Sequence, residues 1–430
     1  MATNIRKNVT KIQTRENQES GITLVALVIS IIVLLILATV SINLVINNGI
    51  LDKAKTAVDK YSDEQIKEEI ALLTQEMKMH QVLNGGSEEE SLRSTFQSHD
   101  SNATVTKSDS LYEVTYKGQK FLLGSDLEYI PIVEADPDEW TFNQSTQTLT
   151  AYNGDLSVKR GNQEIGEVII PNYYNGKKIK KINGIFKNNL SLTKIKISYG
   201  IEEIGGQLCR GCTNLRGDVI IPDSVTETGT EIFMDCSSLD GILKLSRNLE
   251  EIKSFSFLGC SNLKGNIEIP DSVILIGTQA FQDCSSFDGK IILGKNIQTI
   301  SGNAFNGCSK LVGDLIIPDS VTSIGSNAFA SCSSLDGRIK LSENLTTIER
   351  ILWHCNNLTG ELVIPEKVTN YKGDGSEYFS SIKFLNRETV IVDHISTIRP
   401  SIGKIIGYSG STAQAYATKY TRRFETIPEN

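Results

Sequence analysis

The side chains best suited to chemistry in this 430-residue chain are its eight cysteines and four histidines. Seven of the cysteines keep a fixed interval, because six are 24 residues apart and the seventh follows after 23. These seven are Cys212, Cys236, Cys260, Cys284, Cys308, Cys332 and Cys355. The eighth, Cys209, precedes the first of them by three residues. Thiols can ligate zinc or form disulfides, so the spacing has to be compared with what each kind of site needs.

A zinc site needs four ligands that converge on one point. Cysteines that recur once per repeat form a row, in which a thiol has at most two neighbouring thiols and no histidine beside it, so we predict no metal site. Disulfides between neighbouring repeats are compatible with a spacing of about 5 Å between stacked strands. Parallel side chains in a packed core rarely reach the torsion of a disulfide. The sequence therefore favours buried free thiols that fill the core as small apolar groups.

The histidines form no catalytic pattern. His80, His99, His354 and His394 are isolated, and the chain has no His-Glu-x-x-His motif, Gly-x-Ser-x-Gly elbow or phosphate-binding loop. The net charge is −8, and no dense basic stripe interleaved with aromatic residues is present. We therefore expect no enzyme, no cofactor and no nucleic-acid partner.

The cysteines belong to a 24-residue unit that recurs from about residue 167 to residue 404. Its clearest copy, residues 314–337, reads DLIIPDSVTSIGSNAFASCSSLDG. Alternation of Leu315 and Ile317 with their neighbours predicts a strand with one buried face. Gly337 is expected to allow the turn into the next strand. A fixed period of this length predicts a solenoid, in which each coil buries its apolar side against the next.

Two kinds of coil alternate within this repeat. One kind carries a proline after the first strand, and the other carries an asparagine near the corresponding position. The prolines are Pro222, Pro270, Pro318 and Pro365, and the asparagines are Asn248, Asn296 and Asn344. Because proline lacks the backbone N–H, it ends the strand ladder and fixes the following turn.

The outward positions of the first strand form a candidate binding face that mixes aliphatic and charged residues. The face comprises Ile220, Lys244, Glu268, Lys290, Ile292, Asp314, Ile316, Arg338, Lys340 and Val363. Such a surface suits protein recognition. The same residues are also explained by strand propensity on a solvated sheet.

The amino-terminal part of the chain has a different composition. Residues 1–21 are polar and basic, and residues 22–46 are apolar and uncharged. As a helix, the second segment is about 37 Å long, which exceeds a hydrocarbon core of about 30 Å. We predict one membrane-spanning helix at residues 22–46, with the leader in the cytoplasm and the rest of the chain outside.

The remaining segments complete the predicted domain organisation. Residues 47–84 show helical spacing of apolar residues and predict an amphipathic helix. Residues 85–130 predict a small α+β domain whose helix starts at a capping box of Ser87 and Glu90. The other segments are a linker at residues 131–138, the solenoid with its amino-terminal cap at 139–404, and a carboxy-terminal cap at 405–430. A helix in this last cap is expected to start at Ser411 or Thr412.

The strings IPDSVTSIGSNAF and CSSLDG resemble closely the BspA-like leucine-rich repeats of bacterial cell-surface proteins. The resemblance implies a mainly β chain with a right-handed leucine-rich-repeat solenoid. It also implies outer surfaces that bind a protein or a host-surface ligand.

The junction Gly21-Ile22-Thr23-Leu24 resembles the class III signal of type IV prepilins and pilin-like proteins. That resemblance implies cleavage between Gly21 and Ile22 by a prepilin peptidase, followed by methylation of Ile22. The same resemblance implies that residues 85–130 form a pilin-like domain. Ala26 departs from the family pattern, since most pilins have there a glutamate that helps to set subunit register in a fibre.

These features predict a surface protein in the cell membrane, tethered by a single pilin-like helix with its carboxy-terminal region outside. Its solenoid would serve adhesion or protein recognition. The alternative is a minor pilin-like subunit of a fibre or secretion machine, which would carry the repeat domain among other pilin-like subunits.

Overall fold

The computed structural model describes residues 65–79, 81, 87–108, 111–124, 126–158, 163–373 and 379–429. The chain divides into two compact units, one of residues 1–105 with 127–129 and one of residues 106–126 with 130–430. The predicted leader and the predicted membrane helix at 22–46 lie outside the described residues. Within the described ranges, no helix is long and apolar enough to cross a membrane.

The first unit contains the helical residues 65–79 and the helix Glu88–His99. The side chains of Ile70, Leu73 and Met77 are buried, in agreement with the apolar stripe of the sequence. The Ser87 side chain accepts a hydrogen bond from the Glu90 backbone N–H, which is one half of the predicted capping box.

Four short strands form a sheet in sequence order. The middle two pair in antiparallel fashion through a turn at Lys117 and Gly118, both of which have positive φ. Two positive φ values in a two-residue loop are typical of the tight hairpin turn that matches strand twist. The four strands are Thr104–Ser108, Leu111–Tyr116, Gln119–Leu123 and Tyr129–Pro131.

The second unit contains a solenoid with two columns of short parallel strands, which we call the first-strand and second-strand ladders. The first-strand ladder contains Glu167–Ile170, Lys194–Ile197, Val219–Ile220, Leu243–Lys244, Ile267–Glu268, Ile291–Ile292, Leu315–Ile316, Ile339–Lys340, Glu361–Ile364, Ser381–Phe384, Lys404–Gly407 and Phe424–Thr426. The second-strand ladder contains Thr148–Tyr152, Lys181–Ile182, Glu203–Ile204, Glu227–Thr228, Glu251–Ile252, Leu275–Ile276, Thr299–Ile300, Ser323–Ile324, Thr347–Ile348, Asn370–Tyr371 and Val390–Ile391. Most strands contain only two residues, because each coil bends sharply into its next side.

The interior of the solenoid is a continuous core that includes a column of phenylalanines. Neighbouring rings of this column are 5.2 to 6.0 Å apart between centroids and nearly parallel. Its members are Phe233, Phe257, Phe281, Phe305 and Phe329. Offset stacking of this kind adds to the burial of each ring. The period of 24 residues thus places the same side chain type beside its copy in the next coil.

The glycine column contains two structural types, which corrects the role expected for Gly337. Gly313 has a φ of +83°, so its backbone uses the left-handed region that glycine tolerates. Gly337 is not among the residues with positive φ; instead, a Cβ there would lie 2.3 Å from Asp314 Oδ1 and 2.5 Å from the Asp314 backbone nitrogen. Gly337 is therefore required by the close approach of the preceding coil.

Both ends of the solenoid are covered. At the amino-terminal end, the hairpin of Trp140–Asn143 and Thr148–Tyr152 joins the second-strand ladder, and the buried Trp140 contacts Tyr152 and Phe186. At the carboxy-terminal end, the helix Thr412–Lys419 begins after Ser411, whose side chain accepts a hydrogen bond from the Gln414 N–H.

Residues 131–138, predicted as a linker, are hydrogen-bonded to the solenoid. The Val133 N–H donates to Asn172 Oδ1 at 2.8 Å, and the Ala135 N–H donates to the Tyr173 carbonyl at 2.7 Å. Next to this segment lies the short hairpin of Tyr173–Tyr174 and Lys177–Lys178.

Candidate recognition surface

All ten residues of the predicted binding face are exposed on the outer side of the first-strand ladder. The alternation of the strand decides this arrangement: Ile292 and Ile316 are 47% and 49% exposed, whereas Ile291 and Leu315 are 6% and 0% exposed. The face also includes Ile242, which is 53% exposed. The structure therefore brings the predicted residues together on one surface.

Several polar members of this face already have partners within the solenoid. Asp314 Oδ1 accepts a hydrogen bond from the Arg338 backbone N–H at 2.7 Å. Lys340 Nζ is 3.2 Å from Asp319 Oδ2, and Glu268 Oε1 accepts a hydrogen bond from Asn266 Nδ2 at 3.0 Å. These three side chains contribute to the structure of the coils and are less available to a ligand.

The remaining charged members of the face are cationic. In the part of the chain that the structure describes, no ion pair involves the side chains of Lys244, Lys290 or Arg338. Together with the exposed isoleucines they leave the face apolar and positively charged, although the whole chain has a net charge of −8.

From Glu167–Ile170 to Ile339–Lys340, the first-strand ladder is interrupted after every second strand, whereas Glu361–Ile364 and the three strands after it form one continuous sheet. Leu243–Lys244 pairs with the preceding strand, Val219–Ile220, and Ile267–Glu268 pairs with the following strand, Ile291–Ile292. In the described structure, separate sheets contain Leu243–Lys244 and Ile267–Glu268. Near one end of these two strands, the Lys264 N–H donates a hydrogen bond to the Gly241 carbonyl at 2.9 Å. A gap without ladder hydrogen bonds therefore opens on the binding face.

A groove of about 810 Å³ occupies this gap. Leu245 and Ile269 form apolar parts of its wall, and the exposed Ile242 and Ile292 extend that wall onto the outer surface. Arg247, at its edge, is 2.7 Å from Asp223 Oδ2 and 3.2 Å from Asp126 Oδ2. The groove is thus a concave apolar site with charged residues around it, which is the usual form of a binding site. The alternation of coil types in the sequence did not by itself predict this groove.

Comparison with known proteins agrees with the architecture. Residues 177–311 and 264–386 match the family model of the BspA type leucine rich repeat region, in six copies. The matched part of the solenoid, residues 177–386, is similar to a BspA type leucine rich repeat region. No curated protein sequence matches the chain at a significant level.

Solved structures with similarity to the chain include three bacterial leucine-rich-repeat proteins. A leucine rich cell surface protein from Faecalibacterium prausnitzii A2-165 is 19% identical with a TM-score of 0.28, over 76% of this chain and 96% of that one. A leucine rich repeat protein from T. pallidum is 18% identical with a TM-score of 0.28, over 69% and 100%. One from Bacteroides ovatus ATCC 8483 is 18% identical with a TM-score of 0.36, over 62% and 68%. Because all three TM-scores are below 0.5, the fold assignment rests on the repeat itself and on the family match.

The cysteine column of the BspA-like region is a row of buried free thiols that donate hydrogen bonds between coils. Each Sγ lies 2.9 to 3.2 Å from the backbone carbonyl of a residue 26 or 27 positions earlier, in the preceding coil. The sequence predicted small apolar core residues, and it missed this polar contact because the acceptor belongs to a different coil.

The surroundings of these thiols keep them protonated. Burial raises the pKa of Cys236, Cys260, Cys284 and Cys308 far above the ordinary value, because a thiolate in the core would lose its hydration. A protonated thiol can donate the hydrogen bond that each geometry requires. Across the described ranges, no group of three or more His, Cys, Asp or Glu side chains could hold a metal ion.

The described histidines His99 and His394 each have a local polar partner. His99 Nε2 is 3.8 Å from Glu76 Oε2 in the first unit, and His394 Nδ1 is 2.6 Å from the Ser396 hydroxyl. Gly21 and Ile22 lie outside the described residues, as does His80.

Proposed function

We propose that the BspA-like region binds a protein partner through the outer face of its first-strand ladder. The observation that carries this proposal is the groove between Leu243–Lys244 and Ile267–Glu268, because it offers an apolar wall at an interruption of backbone pairing. Apolar anchors in pockets supply most of the affinity of protein interfaces. The family match supports a recognition or adhesion protein.

The partner segment that fits this face is apolar with acidic residues. Ile242 and Ile292 would contact its apolar side chains, and Lys244, Lys290 and Arg338 would attract its carboxylates. Complementary charge increases the association rate and selects against basic partners.

Binding to an array of short extended peptides that vary in charge and apolar content tests this function. We expect acidic apolar peptides to bind the full chain, and the variant Lys244→Glu/Lys290→Glu/Arg338→Glu to lose that binding by tenfold or more. Ile292→Asp, at the edge of the groove, should also lose the peptide binding, although the charges at those three positions are unchanged. Lys310→Glu, an exposed lysine outside the face, is the matched control. Equal binding by the triple variant and the parent would exclude this face.

We propose further that the pilin-like amino-terminal segment displays the region on the cell surface. The support is the sequence pattern around Gly21 and Ile22 and the apolar run to residue 46. Amino-terminal sequencing and the intact mass of the protein from its native cells test this. A methylated chain that starts at Ile22 is expected, whereas a start beyond residue 46 would remove the tether.

The alternative function, a minor subunit of a fibre or secretion machine, predicts a different location. Shearing native cells would then release the chain with filaments. With the tether, the chain stays in the membrane fraction, and Ala26 in place of the usual pilin glutamate supports this outcome.

A further inference from the structure

Cys209 differs from the other seven cysteines in its position within the coil. It occupies the place that phenylalanine holds in the five following coils, from Phe233 to Phe329. Cys212, three residues later, occupies the regular cysteine position. This coil is therefore the one place in the chain where two cysteines share a coil.

The two side chains lie together in one turn. The Cys212 N–H donates to the Cys209 carbonyl at 3.0 Å, and both side chains are fully buried. A turn of this kind brings the Cα atoms of its first and fourth residues within about 7 Å, which is within the range that a disulfide spans.

Cys209 also lacks the contact that occupies the other thiols. Each of the seven column cysteines directs its Sγ to a carbonyl of the preceding coil, as Cys212 does to Phe186 at 2.9 Å. Of the eight cysteines, all of which the structure describes, Cys209 alone has no such backbone acceptor.

We propose that Cys209 and Cys212 are an oxidisable dithiol that forms an intrachain disulfide with a disulfide-bearing oxidant. The Cys212 thiolate attacks one sulfur of the oxidant and releases its other half as a thiol. Cys209, after losing its proton, then attacks Cys212 Sγ in the mixed disulfide and releases the second thiol. The pair loses two protons and two electrons, and the oxidant is reduced to two thiols.

The surroundings favour Cys212 as the attacking residue. Interaction with the neighbouring Cys209 thiol lowers the pKa of Cys212, whereas burial raises the pKa of Cys209. Because both sulfurs are buried, the oxidant reaches them only when this coil opens, so oxidation should be slow in the folded chain.

Alkylation after incubation with oxidised glutathione tests the proposal on the full chain. Free thiols are alkylated under denaturing conditions, and the modified sites are located by mass spectrometry. We expect the number of alkylated cysteines to fall from eight to six, that is 8 − 2, with the loss confined to Cys209 and Cys212. Reduction before alkylation should restore all eight.

Two variants make the assignment specific. Cys209→Phe restores the residue of the neighbouring coils and should leave the other seven cysteines fully alkylated in every glutathione mixture. Cys355→Ala removes a column thiol that donates to the Phe329 carbonyl, and alkylation at Cys209 and Cys212 should still be lost in this variant. Alkylation of all eight cysteines at every glutathione ratio would overturn the proposal, as would a loss that maps to Cys332 and Cys355.

Discussion

The cysteine column has a polar role as well as an apolar one. A buried Sγ–H fills a small space in the core and donates to a carbonyl that already accepts a backbone hydrogen bond; Phe257 O, for example, accepts from Cys260 N and Cys284 Sγ. A thioether, a methyl group or a larger aliphatic side chain would supply only the packing.

Substitution of Cys284 separates these two contributions. If the hydrogen bond to Phe257 matters, Cys284→Ala should lower the free energy of unfolding by about 1 kcal/mol or more, and Cys284→Ser should cost less because it keeps a donor. If the residue acts only as a small apolar group, serine should be the worse replacement. Urea unfolding midpoints of the two variants and the parent decide between these outcomes.

Three aspartates after the strand-ending prolines connect each proline-bearing coil to the next. Asp223, Asp271 and Asp319 accept hydrogen bonds from backbone N–H groups 24 residues later, at 2.7 to 3.2 Å. Hydrogen bonds from Lys295 lower the pKa of Asp271, and those from Glu343 N and Lys340 lower that of Asp319. For Asp223, burial raises the pKa, but the hydrogen bonds from Arg247 more than offset it.

These lowered pKa values predict acid sensitivity. A carboxyl group whose folded pKa is below its unfolded value of about 3.9 stabilises the fold above that pH, and the contribution disappears as the pH falls through the folded pKa. The thermal unfolding midpoint should therefore decrease as the pH is lowered below about 4. The double variant Asp271→Asn/Asp319→Asn keeps the Oδ1 acceptors, and its thermal unfolding midpoint should decrease less at low pH. If the midpoint of the variant depended on pH in the same way as that of the parent, these two carboxylates would not be the source of the acid sensitivity.

At the scale of the coil, the solenoid is built from pairs of coils. Proline-bearing and asparagine-bearing coils are joined by side chain contacts, such as Asn296 Nδ2 to the Asp271 carbonyl at 2.8 Å. The first strands of the two coils in such a pair are hydrogen-bonded to each other, but the ladder is interrupted before the next pair. The groove lies at one of these interruptions. The 48-residue period of the sequence therefore has a direct structural meaning.

The two glycine types predict different costs of substitution. Gly313→Ala places a Cβ at positive φ with its nearest neighbour 3.6 Å away, so it should cost about 1–2 kcal/mol of backbone strain. Gly337→Ala forces a Cβ against the backbone of Asp314 and should cost more, because neighbouring coils must separate. Chemical denaturation of both variants measures the difference, and equal costs would argue against the contact with Asp314.

At the scale of the molecule, stability of a solenoid is approximately a sum over coils and their interfaces. The amino-terminal cap protects the first of these interfaces. Trp140, which is 4% exposed, stands 4.6 Å from Tyr152 and 6.2 Å from Phe186, centroid to centroid.

Removal of this cap residue should act locally. Trp140→Ala is expected to cost about 3–5 kcal/mol at the cap and to increase hydrogen exchange in Thr148–Tyr152 and Lys181–Ile182. Exchange in Thr299–Ile300 and Ser323–Ile324 should stay unchanged, because these coils touch only their own neighbours. Uniformly faster exchange along the array would indicate one cooperative unit.

The sequence by itself determined the solenoid, the side of each strand that is buried and the alternation of two coil types. These follow from periodicity, because stacking of equal coils places residue i beside residue i + 24 and fixes which face meets the core. The exposed position of Ile292 and Ile316 and the burial of the cysteines were predictable for that reason.

Only the tertiary structure decided the gap in the first-strand ladder and the thiol-to-carbonyl contacts. It also showed why glycine is needed at each position: a positive φ at Gly313 and a close approach of the preceding coil at Gly337. Each depends on how far one coil stands from the next and how it is rotated, to within a few tenths of an ångström. A repeat pattern specifies which residues are neighbours, but hydrogen bonds and grooves depend on distances and directions that arise when all coils pack together.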